Sequence, residues 1–332
     1  MSRRFCLGLS AFVVVVAVTA SSAFAQKDGA SAAQDRARAA AAAKATYKVP
    51  KTSWGEPDLQ GVWSYATTTP LQRPDAMAGK ETLTDAEIEA LAEAQAERQD
   101  SAPRTGDPGT YNNFWWDRGK SNGRTSLIID PPDGKIPWKP EALVENAKRA
   151  AYRRDHPADS HLDRTPTDRC IMYHGVPPLP SGYNNTYQIF QTPGLVAILD
   201  ENIHHVRLVP LDGRSHLSKD VRHWNGDSRG HWEGDTLVVE TTNFNDKTDL
   251  RYEGTAATIA VERFTRVGAD LIDYTYTITD PTVFTRPFTV SLPMPRRDDK
   301  IYEYACHEGN YAMPGILAGA RAAEKVAKKG SR

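Results

Sequence analysis

The stretch that decides the fold is "AVERFTRVGADLIDYTYTI", residues 260–278. In its second half, aliphatic and aromatic residues alternate with Asp and Thr, and a Gly-containing turn separates the two halves. Alternation with a period of two is typical of a strand that buries one face. The stretch therefore predicts an antiparallel hairpin. The residues predicted to share the buried face of its second strand are Ile272, Tyr274, Tyr276 and Ile278.

The same kind of composition recurs along the chain from residue 187 onward. Short segments rich in Val, Ile, Thr, Tyr and Phe are separated by Gly, Asp, Asn and Pro, which is typical of antiparallel strands joined by tight turns. A sheet of this size has to hide its edges by closing or bending. The sequence therefore predicts a mainly β fold, an antiparallel lipocalin-like barrel or strongly bent sheet with a few peripheral helices.

Three segments have the features of helices at the periphery of this sheet. Residues 83–98 begin with a capping box formed by Thr84 and Glu87. Residues 139–154 and 315–329 carry small and apolar residues at helical spacing.

The N-terminus has the features of an export signal. Two arginines precede an apolar run at residues 12–18, and small residues ending in "AFA" lead to Ala25. This pattern predicts a signal peptide at residues 1–25, removed after Ala25, and a mature protein in the periplasm or outside the cell. No second long apolar segment follows, which argues against stable insertion in a membrane.

The composition divides the rest of the chain in two. Residues 26–50 are mostly small and charged, which predicts a flexible arm. Residues 51–332 are expected to form a single β-rich domain. Its N-terminal part, 51–180, is predicted to wrap the sheet formed mainly by residues 181–310.

Charge and motifs exclude several classes of function. The formal net charge of −1, without a basic stripe, argues against a nucleic-acid partner. Neither G-x-G-x-x-G nor a P-loop occurs, so no nucleotide cofactor is predicted. The neighbours His204 and His205 would diverge on a strand, and no H-E-x-x-H occurs, so no metal is predicted either.

Two cysteines remain after the predicted signal peptide, and both lie in polar surroundings. An even pair in an oxidising compartment predicts a disulfide between Cys170 and Cys306; two free thiols are the alternative. The second cysteine lies in "EYACHEGNYAM", which brings His307, Glu308 and Tyr311 to the predicted bridge. These residues could form part of a site, or the bridge could simply hold the wrapping segment on the sheet.

A polar turn at residues 223–235, "HWNGDSRGHWEGD", lies between two predicted strands. A tight turn explains its glycines but not Trp224, Asp227, His231 and Trp232. Aromatic walls with a few polar groups are how small-molecule pockets are built, so these residues could point into a cavity. The alternative is that both tryptophans plug the end of the barrel and the aspartate caps backbone N–H groups.

Two further segments contain residues suited to ligand binding. In "DENIHHVRL" one imidazole should face the interior, so His204 could transfer protons or could be an ordinary core residue, and Arg207 could hold an anionic group. A Tyr-Asn-Asn core occurs in both "YNNFWWDRG" and "GYNNTYQIF", the second of which contains Asn185 and Tyr187. Such residues contact sugars or aromatic rings by stacking and amide hydrogen bonds, and they also form ordinary turns.

A set of motifs spread over residues 54–325 resembles a known group of proteins. Among them are "PDLQGVW", "YNNFWWDRG", "GDSRGHWEGDTLVVETTNF" and "EYACHEGNY". Together they resemble a large family of exported, functionally uncharacterised proteins of environmental Gram-negative bacteria, notably acidobacteria and sphingomonads. The resemblance implies family membership and export but no reaction, so it transfers no catalytic residue. The strand pattern of the β-rich half is similar to that of lipocalins, which concerns the fold alone.

These observations predict a periplasmic enzyme that acts on a small aromatic or sugar-derived compound by cofactor-independent acid–base chemistry, as a lyase, isomerase or hydrolase. The alternatives are a non-catalytic periplasmic binding or carrier protein, and an interaction protein whose aromatic turn docks a partner. The candidates for proton transfer are His204, Asp227, His231 and His307. The candidates for ligand contact are Asn185, Tyr187, Arg207, Trp224, Trp232, Glu308 and Tyr311.

Overall fold

The structure is a computed structural model. It describes residues 46–100, 116–117, 119–173, 175–247 and 254–330. The predicted signal peptide and residues 26–45 of the predicted arm lie outside the described residues. Within the described ranges, no helix has the length and apolar character needed to cross a membrane.

Eleven strands form one antiparallel sheet, as the mainly β prediction requires. The strands are β1 Gly61–Ser64, β2 Ile128–Asp130, β3 Thr186–Thr192, β4 Leu195–Asp200, β5 Val206–Pro210, β6 Asp227–Glu233, β7 Thr236–Thr242, β8 Ile259–Gly268, β9 Leu271–Thr279, β10 Phe288–Ser291 and β11 Met294–Arg297. Three helices whose full range the structure describes flank the sheet: α1 Asp85–Asp100, α2 Pro140–Asp155 and α3 Ala312–Gly330.

The order of strands across the sheet is β5-β4-β3-β1-β11-β9-β8-β7-β6, and β10 pairs with both β9 and β2. Strand β1 comes first in the chain but lies near the middle of the sheet, where Val62 is opposite Gln188 on one side and Arg297 on the other. The N-terminal part therefore contributes strands to the sheet, and its wrapping around the sheet stays a prediction.

Strands β8 and β9 form the hairpin that the alternating pattern predicts. The four side chains predicted to share a face are all buried in the core, and Phe264 of β8 lies opposite Tyr274. Their rings pack with centroids 4.6 Å apart. The two-residue periodicity thus identified both the hairpin and its buried face.

The two ends of the sheet approach each other without closing. A methyl group at Gly230 of β6 would lie 2.7 Å from Val209 of β5 and 2.8 Å from Leu211, so side chains of one end pack directly on the backbone of the other. Among the described strands, however, β5 and β6 are not hydrogen-bonded partners. The sheet is strongly bent, and the lipocalin-like closed barrel is not confirmed, because side chains separate the edge strands.

A buried ion pair crosses the interior of the bent sheet. Arg207 of β5 bonds to both carboxylate oxygens of Glu262 of β8, and its Nη2 donates to Oε1 at 3.0 Å. The hydroxyl of Tyr274 donates to the same Oε1 at 2.8 Å. Because Arg207 is 5% exposed and Glu262 fully buried, this ion pair is part of the core.

The predicted helices are present at the periphery. Helix α1 begins with the predicted capping box, in which Thr84 N donates to Glu87 Oε2 at 2.8 Å and Glu87 N donates to Thr84 Oγ1 at 3.4 Å. Helix α2 buries only Ala142, while Leu143 is half exposed. The helices therefore add little to the core.

The sulfur atoms of Cys170 and Cys306 lie at disulfide distance, although the two residues are 136 positions apart in the sequence. The predicted cysteine pairing is thus present, and it joins the segment before β3 to the segment after β11. Asn310 lies against the pair and donates to the carbonyl oxygen of Asp168 at 3.2 Å.

Candidate functional site

A cavity of about 550 Å³, here called the first cavity, opens on the face of β1 and β11 that is turned away from the core. One wall is apolar and comes from the β9 and β11 region, and the other is polar. The apolar residues include Leu271, Leu292, Pro293 and Pro295, and the polar residues include Ser64, Asp117, Lys120, Ser121, Asn122 and Arg297. A ligand with one apolar and one polar face would match such a lining.

The period of β-strands explains why Ser64 and Arg297 line this cavity. Trp63 of β1 is fully buried in the core, so its neighbours Val62 and Ser64 point to the opposite face. Arg297 pairs with Val62 and lies on the same face. The two strands thus present a hydroxyl and a guanidinium group to the cavity.

The opposite wall is a segment held against the chain that follows β1. Asn122 N donates to Thr69 Oγ1 at 3.1 Å, and Thr69 Oγ1 donates to Asn122 Oδ1 at 3.0 Å. A methyl group at Gly119 would lie 2.3 Å from Thr67 N, so only glycine permits this close approach. The wall is therefore fixed by short contacts on both sides of Lys120.

Asp117 is the most strongly held charged group of the cavity. Arg297 Nη1 donates to its Oδ1 at 3.2 Å, and its Oδ2 accepts the backbone N–H and the side-chain amide of Asn185 at 2.8 and 3.1 Å. Burial opposes the charge of Arg297, but the hydrogen bond to Asp299 and the nearby Asp117 raise the pKa of Arg297 above its ordinary value. Arg297 is thus charged at neutral pH.

Glu201 lies next to this ion pair. Arg297 Nη1 donates to Thr186 Oγ1 at 3.4 Å, and the Thr186 hydroxyl in turn bonds to Glu201. Burial raises the pKa of Glu201 above its ordinary value; the bond from Thr186 lowers the pKa and the charge of Asp117 raises it. Its Oε2 is buried and has no hydrogen-bond partner within the described ranges. A carboxyl group of this kind, next to the ion pair that lines the cavity, is suited to accepting or donating a proton.

Trp116 is the one aromatic side chain among the described lining residues of the first cavity. Its indole N–H is buried and has no hydrogen-bond partner among the described residues. The ring packs so tightly on Gly182 that a methyl group there would lie 2.1 Å from Cζ3, and it meets the ring of Tyr183 edge to face at 6.5 Å. The ring is therefore held in place, and its N–H is left without an acceptor in the described part of the chain.

Tyr187 of β3 and Arg207 of β5, both predicted to contact a ligand, pack in the core. Tyr187 is buried and meets Tyr65 edge to face at 5.0 Å, while Arg207 is engaged by Glu262. Asn185 is also fully buried, but it holds Asp117 and so supports the first cavity from behind. Contact of these residues with a ligand stays a prediction, and only Asn185 lies next to a described cavity.

The prediction of a polar turn at residues 223–235 is wrong for most of the segment, because Asp227–Glu233 form strand β6. None of these residues is among the described lining residues of the first cavity. Asp227 Oδ2 lies 2.9 Å from His216 Nδ1, and its Oδ1 accepts from Arg229 Nη1 at 2.6 Å. Burial alone would raise the pKa of Asp227, but bonds from Leu217 N, His216 and Arg229 outweigh it and lower the pKa. Trp232 packs against the core, and its indole N–H is buried without a partner. Trp224 is partly buried. Asp227 thus holds the segment of His216 and Leu217 against strand β6.

The predicted proton-transfer residues are dispersed. His231 points to solvent beside Glu233, at 3.2 Å, and His307 is exposed in the turn after Cys306. No hydrogen bond or ion pair between described residues joins Asp227, His231 and His307. Glu308 and Tyr311 are exposed near His307. The side chain of His204 lies outside what the structure describes, as does His174.

The residues that do converge were mostly missed by the sequence analysis. Trp116 and Asp117 belong to "YNNFWWDRG", whose composition pointed to sugar or ring contacts, but nothing in the sequence linked them to Arg297. His216, which bridges Asp227 and Glu240, had no signal because it lies in a segment without periodicity. Within the described ranges, no three His, Cys, Asp or Glu side chains are grouped so that they could hold a metal ion.

Comparisons with family models, curated proteins and solved structures found no match for this chain. Function therefore has to be inferred from the geometry of the first cavity.

Proposed function

We propose that the protein is an exported binding protein that holds a small sugar-derived or aromatic compound in the first cavity. The observation that carries this proposal is the pairing of Trp116, with its buried and unpartnered N–H, with the Asp117–Arg297 ion pair in one cavity. A ring would lie on the apolar wall, and its hydroxyl or carboxylate groups would meet Lys120 and Arg297. The volume of the cavity falls within the range of about 300–1,000 Å³ that is typical of small-molecule pockets.

The available charges support a ligand of mixed polarity. Lys120 is exposed and makes no ion pair with any described residue, so its ammonium group can meet an anionic or hydroxyl group of a ligand. Arg297 is already neutralised by Asp117 and Asp299, at 3.2 and 3.0 Å, and would contribute directed hydrogen bonds more than net charge. A compound with one ring and one or two polar substituents could bind to the Lys120 ammonium group and accept hydrogen bonds from Arg297.

Calorimetry with single-ring probes tests the proposal. Benzoate, vanillate and methyl glycosides of common hexoses and pentoses would be titrated into the wild-type protein, Arg297→Gln and Arg286→Gln. Arg286 is a matched control, because it forms an ion pair with Asp130 on the same sheet but does not line the cavity. At least one probe should bind, with an affinity roughly tenfold weaker in Arg297→Gln, the loss expected for a charged hydrogen bond. The absence of binding by every probe would contradict the proposal.

A second candidate function is acid–base catalysis on the same ligand. Glu201 favours it, because a half-buried carboxyl group with a raised pKa and an unpartnered oxygen lies next to the Asp117–Arg297 pair. Mass spectrometry of the titrated mixtures would detect a product. Glu201→Gln should then abolish turnover but keep ligand binding. Binding without any product in the wild-type protein would leave the carrier function alone.

A further inference from the structure

A second cavity of about 480 Å³ adjoins the first. The two cavities share three lining residues, Thr67, Trp116 and Asp117. Helix α1 borders the second cavity through Gln95 and Gln99. The segment that contains Trp116 therefore separates two spaces of similar size.

The lining of the second cavity is polar but almost uncharged. The polar side chains among its described lining residues are Thr67, Thr68, Thr69, Gln95, Gln99, Asp117 and Ser181, of which only Asp117 carries a charge. The side chains of Thr68, Gln95 and Gln99 make no hydrogen bond with any described residue. Hydroxyl and amide groups that are free to donate and accept match the alternating donors and acceptors of a sugar ring. The described lining residues include no cation that would hold an anionic aromatic compound.

The side chain of Trp116 lines both cavities. Its ring lies against Gly182, which lines the second cavity, while its N–H is buried and unpartnered. A buried donor without an acceptor is unfavourable, so an oxygen atom of a ligand at this position would be bound preferentially. In a chain of sugars that passes Trp116, the oxygen atoms around a glycosidic bond could occupy this position.

We propose that the two cavities form one groove for an oligosaccharide of two or more units, with Trp116 between adjacent subsites and its N–H donating to an oxygen of the ligand. This inference rests on the proposed binding function and narrows the ligand to carbohydrate. The first subsite lies along Ser64, Lys120 and Arg297. The second lies along Thr68 and helix α1.

Calorimetry with homologous sugars tests the groove. Gluco-, manno-, xylo- and galacto-series of one, two and three units would be titrated into the wild-type protein. In the series that binds, the disaccharide should bind roughly tenfold more tightly than the monosaccharide, because the second unit adds contacts in the second cavity. Benzoate serves as the single-ring probe that cannot use the second cavity.

Variants show which residues cause the tighter binding of the disaccharide. Trp116→Phe keeps the ring and removes the N–H, and should weaken disaccharide binding roughly fivefold while changing the monosaccharide less. Gln95 lines the second cavity from a partly exposed position of helix α1, so Gln95→Ala should not affect folding. This variant should weaken the binding of the disaccharide and leave that of the monosaccharide unchanged. Glu89→Ala on the exposed side of α1 and Trp54→Phe are controls that should leave all affinities unchanged.

The experiments distinguish failure of the groove proposal from failure of the proposed binding function. Binding of benzoate or of monosaccharides without any gain from a second unit would overturn the groove but keep the single-ring function. A disaccharide gain that persists in both Trp116→Phe and Gln95→Ala would also overturn it, because the second unit would then lie elsewhere. If no sugar and no aromatic probe binds, both proposals fail.

Discussion

At the residue scale, the carboxylate of Glu262 determines how the interior of the sheet is held. It accepts from the Arg207 guanidinium and from the Tyr274 hydroxyl, so one buried carboxylate holds two other polar groups of the core. Removing two charges from water costs several kcal/mol per ion, and close pairing offsets much of that cost. The pair is therefore worth little in itself, but the loss of one partner is severe.

Glu262→Gln should reduce the free energy of unfolding by about 3–5 kcal/mol, because the charge of Arg207 would remain buried without its counter-ion. Urea unfolding monitored by tryptophan fluorescence measures this. Arg286→Gln, in an exposed ion pair, should cost at most about 1 kcal/mol. Equal losses of unfolding free energy in the two variants would show that breaking the buried pair costs no more stability than breaking the exposed pair.

Asp200 should make stability depend on pH. Burial raises the pKa of Asp200 from 3.8 to about 7, against the lowering effects of Asn202 N, the Tyr65 hydroxyl and Arg207. Between these two values the folded protein binds a proton that the unfolded chain has released, so the free energy of unfolding falls as pH rises through that window. In Asp200→Asn the free energy of unfolding should not show this part of the pH dependence. The gain in this free energy over wild type should therefore be larger at about pH 8 than at about pH 5.

Unfolding curves of both proteins at the two pH values provide the measurement. The Asn side chain can still accept from Asn202 N and from Tyr65, so the geometry of the turn should persist. Parallel pH slopes for the two proteins would show that the carboxyl group of Asp200 does not titrate in this range.

At the element scale, the strands were predictable where periodicity and local turns define them. The β8–β9 hairpin follows from the alternation of Ile272, Tyr274, Tyr276 and Ile278, and α1 follows from its capping box. The first cavity was not predictable in this way. It depends on the pairing of β1 with β11 and on the approach of Asp117 to Arg297, contacts between segments more than a hundred residues apart.

Gly230 marks the place where the ends of the sheet pack on each other. Gly230→Ala should reduce the free energy of unfolding by about 1–3 kcal/mol, because the added methyl group would overlap Val209 and Leu211. Gly268→Ala is the matched control in β8, where a methyl group meets only Leu271 at 3.7 Å. Thermal or urea unfolding of both variants measures the two losses of unfolding free energy. If Gly230→Ala is as stable as the control, the packing between β5 and β6 is loose.

At the scale of the whole molecule, the Cys170–Cys306 pair joins distant parts of the chain. Protein expressed from residue 26, unfolded without reductant, should show no free thiol, and reduction should lower the free energy of unfolding by about 2–5 kcal/mol. A colorimetric thiol titration and urea curves with and without reductant provide the two measurements. Two titratable thiols in the unreduced sample would contradict the pairing.

The position of β1 has a consequence for how the chain acquires its structure. On the ribosome this strand is made long before either of its neighbours, and its last neighbour, β11, is the final strand of the sheet. Until both exist, the backbone groups of β1 lack the strands with which they pair in the sheet. The middle of the sheet can therefore form only once β11 has been synthesised, which makes its assembly a late and non-local step of folding.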